Sequence, residues 1–427
     1  MGIEELYKLF AENYKVVKDT RVDVSNALYF SLKGESFNGN QYALEALEKG
    51  ANYAVIDEPQ YRVDERFILV EDVLSCLQEL ARFHRRQLNI PIIALTGSNG
   101  KTTTKELIGK VMNQSFNCYA TQGNLNNHIG VPLTLLSMRP EHDFGLVEMG
   151  ANHLEEIAAL CQIALPDYGY ITNFGRVHLE GFGSFEGVVQ GKTEMYRYLA
   201  ENGGKVFVNS DDPIQMKRSQ GMDRILLGDD KEVDFSVSFV KADPYVSIEF
   251  EGIEVQSQLI GNYNFTNIRA AVGIGRYFGV KKDLIKTAVE GFIPDNNRSQ
   301  IIQKNGNKII LDAYNANPNS MEAAINNLKS LSDENKVAIL GDMFEIGKDS
   351  LMEHQRIVNM AAESGFSKIF LIGKNFAGTE IGDDRVSSFS TFEEFTTAFP
   401  KHHRDPGATY LIKASRGMAL ERVLDYL

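Results

Sequence analysis

The sequence predicts an α/β fold in three domains, and three observations carry that expectation. At 427 residues the chain exceeds what one hydrophobic core organises. From Ile92 onward, apolar runs alternate with amphipathic helical stretches, the βαβ pattern of a mostly parallel sheet. Beyond residue 297 the alternation starts afresh, which predicts a second doubly wound unit. With 43% hydrophobic and 24% charged residues, the chain has the make-up of a folded soluble protein, which argues against disorder.

Residues 1–88 hold short apolar segments, Ala27 to Leu32 and Tyr53 to Ile56, separated by turn-rich stretches such as Glu35 to Asn40. They are read as a small α/β domain. A charged helical stretch, LARFHRRQL, then meets Asn89-Ile90-Pro91, where proline interrupts any helix and marks a boundary. In the central domain, 89–296, the strand candidates are PIIALT, FGLVEM, YGYITNF and KVFVNS. Between about 232 and 260 apolar and polar residues alternate, predicting an antiparallel ribbon attached to that sheet. A second boundary is expected near Ile293 to Asn297. In the last domain, 297–427, KIILDA, KVAILG, KIFLIG and TYLIKA each precede a helix-compatible segment.

Composition also excludes functions. A net charge of −13 argues against a general nucleic-acid binder, which concentrates Lys and Arg to neutralise phosphates. Cys76, Cys118 and Cys161 are too few and scattered for a disulfide framework or a CxxC metal site, which fits a reducing compartment. The N-terminal stretch lacks an apolar signal core, and no apolar run approaches the roughly 20 residues that span a bilayer. A cytoplasmic protein without membrane insertion is expected.

The first chemical signal is Ile92 to Thr96 followed by Gly97-Ser98-Asn99-Gly100-Lys101-Thr102-Thr103, a strand, a tight glycine turn and a helix start. Backbone N–H groups of such a turn wrap a phosphate. Lys101 brings positive charge toward the β/γ-phosphates, the helix N-terminus adds its partial charge, and Thr102 offers a hydroxyl to Mg²⁺. The match to GxxxxGK[ST] is incomplete, because Leu95 stands at the first glycine position. The central domain is therefore expected to be P-loop ATPase-like. A phosphate loop alone identifies no reaction, since transporters, kinases, motors and ligases all use one.

Two further candidates sit at expected strand ends, where open α/β sheets place ligands: Glu148 in VEMGAN and His178 in TNFGRVHLE. Glu148 interrupts an apolar strand just before glycine, which suits a Mg²⁺ ligand. His178 is either a second ligand or an ordinary hydrogen-bonded loop histidine. Lys192, at the start of a helical stretch, reads by itself as a solvated charge. Asn126 and Asn127 belong to a loop rich in asparagine and glycine whose amides suit either a polar ligand or cap chemistry.

Taken together, these segments resemble the Mur ligases of bacterial cell-wall synthesis over nearly the whole chain, and the D-alanyl-D-alanine-adding branch in particular. TGSNGKTTT resembles the family's TGTNGKTT loop, and GNLNNHIGVPLTLL its Asn-Asn-x-Ile-Gly-x-Pro segment. EMGANHLEEI with TNFGRVHLEGFGS resembles its metal-binding strand ends, and GNYNFTNIRAA its GxHNxxNxxAA. LDAYNANPNSM, LGDMFEIG with His354 downstream, and LIKASRGM resemble features of the branch that adds the dipeptide.

The resemblance implies a uridine-nucleotide domain, a central ATPase and a Rossmann-like C-terminal ligase domain that closes over both. It implies an ADP-forming carbon–nitrogen ligase that uses ATP to make an acyl phosphate on UDP-N-acetylmuramoyl-tripeptide and then adds D-alanyl-D-alanine. It further implies two Mg²⁺ ions, the first with Thr102 and Glu148, the second with His178 and a carbamylated Lys192, since a carbamate is an anion where an ammonium would repel metal. Catalytic roles fall on Lys101, Lys192, Arg298 and His178. Asn264 and Asn267 are expected at the adenine, Arg298 at the γ-phosphate and Asp312 at the ribose. Thr20, Arg21, Ser31 and Lys33 correspond to the uridine-nucleotide site. Asn126, Asn127, Asn315, Asn317, Lys413, Ser415 and Arg416 are expected around the substrate and acceptor peptide, and the protein is expected to be a monomer. Asp342, Glu345 and His354 are candidates to take the amine proton. The chain departs from the pattern at Tyr263, often His, at Asn297, usually Gly, and at Ala414, which replaces glycine. Alternative readings are a folylpolyglutamate synthase, a Mur ligase adding one amino acid, or a P-loop regulatory module. YNANP and LGDMFEIG argue against the first two, and no switch segment supports the third.

Overall fold

The computed structural model describes residues 1–230, 232–294, 297–399 and 407–427. Its N-terminal part carries a parallel sheet in the order Val16–Val17, Leu28–Phe30, Tyr53–Ile56, Phe67–Leu69. The turn after Ser31 forms a small hairpin, Lys33–Gly34 against Phe37–Asn38. One face of the sheet packs its own core around Tyr29, Ala46 and Phe67. The other face is covered by helices Ile3–Ala11 and Val73–Gln87, whose Leu6, Leu77 and Leu80 share a core with Val131, Leu135 and Leu160 of the central domain.

The helix before the expected 88/89 boundary therefore ends where proline requires, yet its apolar stripe is buried across that boundary. Asp72 starts this helix by accepting the Ser75 N–H at 2.6 Å. Near its end, Arg85 donates to the carbonyls of Ala164, Leu165, Leu88 and Ile90 and pairs with Asp167 at 2.8 Å.

The central sheet has seven strands, all parallel, in the order Phe235–Ser236, Arg224–Gly228, Lys205–Asn209, Tyr168–Ile171, Ile92–Thr96, Phe144–Glu148, Cys118–Ala120. Ile92–Thr96 lies near the middle, buried throughout, and the chain moves from one side of it to the other between Phe144–Glu148 and Tyr168–Ile171. That reversal places the carboxyl ends of three neighbouring strands beside one crevice, the position at which open sheets bind ligands.

The expected ribbon is present but is not attached to this sheet. Ser238–Ala242, Tyr245–Phe250 and Ile253–Ile260 form a separate three-stranded antiparallel sheet. Its inward residues Val246, Ile248 and Val255 join Ile268, Ala271 and Ile285 of the helices Asn264–Tyr277 and Lys282–Glu290 in one core. Burial against helices thus replaces backbone pairing with the larger sheet.

The C-terminal sheet runs Gln300–Lys304, Asn307–Asp312, Thr409–Lys413, Lys336–Gly341, Lys368–Ile372, Val386–Phe389, parallel except for its first strand. Helices follow KIILDA, KVAILG and KIFLIG, whereas TYLIKA leads into 3₁₀ turns rather than an α-helix. Residues 295–296 of the expected second boundary lie outside the described residues. Among the described residues no helix is long and apolar enough to cross a membrane.

Candidate active site

A cleft of about 1050 Å³ opens between the central and C-terminal domains. That lies at the upper end of the roughly 300–1,000 Å³ of small-ligand sites. Its floor is the turn Gly97 to Gly100. Gly97 has φ 143°, and a Cβ there would fall 2.0 Å from Thr172 Oγ1; Gly100 has φ 77°, with Asn267 Oδ1 2.7 Å from where its Cβ would stand. Only glycine fits both the conformations and the space. Thr172 and Asn173, at the end of the neighbouring strand, hold the turn: Thr172 Oγ1 donates to Asn99 O at 2.6 Å, and the Asn99 N–H donates to Asn173 Oδ1 at 3.0 Å. Lys101 Nζ folds back onto the carbonyls of Gly97 and Ser98 at 2.8 and 3.3 Å. Burial lowers its pKa, Glu148 opposes that shift and Arg298 adds to it.

Glu148 ends its strand inside the crevice and is 1% exposed. Its Oε1 accepts from Asn126 Nδ2 at 2.8 Å and from Thr102 Oγ1 at 3.4 Å, while Oε2 is buried without a hydrogen-bond partner. Buried Lys105 is the nearest cation, its Nζ 3.8 Å from Oε2. An uncompensated buried carboxylate oxygen is costly unless a cation completes it. No group of three His, Cys, Asp or Glu side chains able to hold a metal exists among the described residues. Mg²⁺ does not need such a cage, because it binds through one or two carboxylates with substrate phosphates and water.

His178 lines the same cleft, with Nδ1 2.7 Å from Glu345 Oε2 of the C-terminal domain. Burial lowers its pKa; Glu345 opposes this, and Lys101 and Lys192 reinforce it. Lys192 is 1% exposed, so the reading as a solvated charge is overturned. Its Nζ donates to Ala151 O at 3.1 Å and lies 5.1 Å from the Phe182 ring centre. Burial first, then Lys101, lower its pKa to about 7.

Across the cleft, Asp312 receives Lys413 Nζ at 2.6 Å and the Ser299 N–H at 3.2 Å. Lys413 also donates to Asn315 O, so this buried lysine is held by the carboxyl edge of its own sheet. Two guanidinium groups approach the Tyr314 ring centre, Arg298 at 3.6 Å and Arg416 at 4.8 Å. Asn317 caps the helix Pro318–Ser330 and donates Nδ2 to Asn99 Oδ1 of the glycine turn at 2.7 Å.

Asn264 and Asn267 line the cleft with amides engaged internally: Asn264 donates to Ile260 O, and Asn267 joins Asn264 to Thr104. Tyr263, at the position often occupied by His, hydrogen-bonds Ser299 Oγ at 2.8 Å. Asn127 lines the cleft while capping the turn before Gly130.

Several expected residues fall elsewhere. Ser415 is 2% exposed and off the cleft lining, where Oγ accepts the Phe344 N–H and donates to Ala316 O, tying two loops. Ala414 packs against Gly341. Asp342 caps the turn at Asn375 and Phe376, and fully buried His354 accepts the Met343 N–H and donates to Ser350 O. Of the three proton-acceptor candidates, only Glu345 lines the cleft. Thr20, Arg21, Ser31 and Lys33 lie in the N-terminal domain. There Lys33 pairs with Asp57 and Glu58, Arg21 pairs with Asp19, Thr20 O accepts from Lys49, and Ser31 Oγ is buried without a partner. Sequence reading missed Thr172, Asn173, Lys105 and Tyr314. Only Lys105 had a local signal, being four residues beyond Lys101 on the same helix face.

A glycine turn at a sheet switch point, a buried carboxylate beside it with one oxygen free of hydrogen bonds and a facing second domain fit a P-loop enzyme acting on a nucleotide and a further substrate. A family model of the Mur ligase middle domain matches residues 95–275, and one of the Mur ligase, glutamate ligase domain matches 297–416. The UDP-N-acetylmuramoyl-tripeptide--D-alanyl-D-alanine ligase of Bacillus subtilis is 33% identical over 422 residues, 96% of this chain and 92% of the relative. That of Escherichia coli is 31% identical over 425 residues, with 96% and 92% covered. The crystal structure of Thermotoga maritima MurF ligase in complex with ADP superposes with a TM-score of 0.85 at 25% identity, covering 96% of each chain. Acinetobacter baumannii MurF gives 0.84 at 29% identity, with 96% and 92% covered. The chain belongs to the Mur ligase family, and it is an ATP-dependent, ADP-forming ligase of peptidoglycan precursor synthesis.

Proposed function

We propose that this chain forms the amide bond between UDP-N-acetylmuramoyl-tripeptide and D-alanyl-D-alanine through an acyl phosphate. The observation that carries the residue-level reading is the direct facing of the phosphate turn and the YNANP segment across one cleft, joined by Asn317 and Asn99. The peptide carboxylate attacks the γ-phosphorus of ATP, ADP leaves, and the dipeptide amine then displaces phosphate from the acyl carbon. In the first step two anions must approach. Lys101 and Arg298 offset their repulsion and hold the phosphoryl group in line. The Asn99 and Asn173 contacts keep the turn's geometry fixed, so little reorganisation accompanies transfer.

Two Mg²⁺ ions belong to this reading, and they would supply further positive charge to offset the anionic reactants. Glu148 Oε2, which has no hydrogen-bond partner and Lys105 Nζ 3.8 Å away, would with Thr102 Oγ1 hold one ion. His178 and Lys192 suit a second only if Lys192 is an anion. Its lowered pKa supports that, because the neutral amine is the form that combines with carbon dioxide, losing a proton to leave a carbamate. Asn264, Asn267, Asp312, Asn126, Asn127, Asn315 and Lys413 all line the one cleft, and this reading gives the first three to the nucleotide and the others to the peptide. The unpartnered Ser31 hydroxyl supports a uridine-nucleotide site in the N-terminal domain, where Arg21 and Lys33 would have to exchange their present carboxylate partners for the ligand; the reading includes a cytoplasmic monomer. Phosphate release by the purified protein tests the reading: release should require both UDP-N-acetylmuramoyl-tripeptide and D-alanyl-D-alanine, and equal release without them would refute it.

A further inference from the structure

We propose that Glu345 positions His178 for metal binding, so that the second metal site is complete only while the C-terminal domain is docked. The proposal rests on the reading of His178 as a metal ligand. His178 belongs to the central domain and Glu345 to the C-terminal one, and their 2.7 Å contact crosses the cleft. A ring whose Nδ1–H donates to a carboxylate has its tautomer and orientation set, and Nε2 becomes the nitrogen available to a cation. Metal-ligating histidines are regularly held this way.

Backbone geometry supports a positioning role. His178 and Glu345 both have positive φ, 49° and 62°, a region that non-glycine residues occupy at a cost and keep when the surroundings impose it. The surroundings here are interdomain contacts on either side of the pair. The Arg176 N–H donates to Asn319 Oδ1 at 2.8 Å, Arg176 lies 3.7 Å from Glu353, and Gly347 packs beside Glu180. The Glu345 side chain is 59% exposed, so its contact with His178 adds little to stability as a surface ion pair. Undocking would remove the carboxylate from His178 and loosen the metal site. Reciprocally, a metal on Nε2 favours the docked arrangement.

The test is Mn²⁺ titration of the full-length protein in the presence of a non-hydrolysable ATP analogue, followed by electron paramagnetic resonance, with small-angle X-ray scattering on the same samples. Wild type should bind two Mn²⁺ and contract as the second enters. His178→Ala should bind one. Glu345→Ala should still bind two, the weaker by about 10–100-fold relative to wild type, and should lose the Mn²⁺-dependent contraction. Glu345→Gln, which keeps the shape and one acceptor oxygen, should fall between and serves as the folded control. Wild-type Mn²⁺ affinity and contraction in Glu345→Ala would overturn the positioning role. Two Mn²⁺ on His178→Ala would instead overturn the ligand reading beneath it.

Discussion

Replacing Lys192 by arginine removes the amine that takes up carbon dioxide and puts a permanent positive charge in its place, and replacement by alanine removes the amine without adding a charge. Burial beneath Phe182 and repulsion from Lys101 bring the Lys192 pKa from 10.5 to about 7. At pH 8 an amine with pKa near 7 is about 90% neutral, against about 0.3% for an ordinary lysine, so the reactive form is enriched roughly 300-fold. Unmodified Lys192 is thus deprotonated in the fold at pH values where it is protonated in the unfolded chain. Between pH 7 and 10.5 the unfolded chain binds more protons, and the stability of the carbon-dioxide-free protein rises with pH across that window. The assay is phosphate release between pH 6 and 9, in carbon-dioxide-free buffer and with bicarbonate, together with ¹³C NMR after ¹³C-bicarbonate loading. Wild-type activity should need bicarbonate, rise through pH 7 and accompany a carbamate resonance. Lys192→Ala and Lys192→Arg should both lose about 10²–10³-fold in kcat, the scale of removing one transition-state-stabilising group. Wild-type rates in Lys192→Arg, or a bicarbonate-independent wild type without the resonance, would refute the reasoning.

Other sites separate binding, chemistry and stability. Gly97→Ala would place Cβ against Thr172 Oγ1 at a φ that alanine avoids; the strain of about 1–3 kcal/mol should appear as weaker ADP binding by calorimetry. Lys101→Ala should lower kcat by about 10²–10³-fold while the melting temperature, read by circular dichroism, stays near that of wild type. Arg85→Ala strips donors from buried carbonyls, while half-exposed Asp167 keeps the Ile92 N–H; urea denaturation should report a loss of about 1–3 kcal/mol, with kcat unchanged. Ser415→Ala unties Phe344 from Ala316 and should cost about 1–2 kcal/mol in the same assay, because the hydroxyl is buried between two loops.

Residues that announce themselves through backbone requirements were legible in the sequence. Gly97 and Gly100 mark a turn that only glycine allows, and Glu148 stands out because a carboxylate seldom ends an apolar strand without a task. What depends on burial was not legible. Lys192 reads as a solvated charge on a helix until its neighbours Phe182 and Ala151 are in place. Asp342 and His354 look like cleft residues in LGDMFEIG and its downstream helix, yet both are spent on backbone groups inside the domain. The ribbon shows the limit of periodicity, which reports which faces are buried but not what buries them. Its alternation is met by the helices Asn264–Tyr277 and Lys282–Glu290, not by the edge of the central sheet. Thr172, Asn173 and Tyr314 act through partners distant in sequence, so no local pattern could single them out.

Isotope transfer tests the acyl-phosphate route most directly. UDP-N-acetylmuramoyl-tripeptide carrying ¹⁸O in its terminal carboxylate is incubated with the protein, ATP and D-alanyl-D-alanine, and both phosphate and product are read by mass spectrometry. The account predicts one ¹⁸O in each phosphate released and a product heavier than the tripeptide by the dipeptide less water, with the lost oxygen being the one found on phosphate. Unlabelled phosphate, or phosphate released without that product, would contradict it.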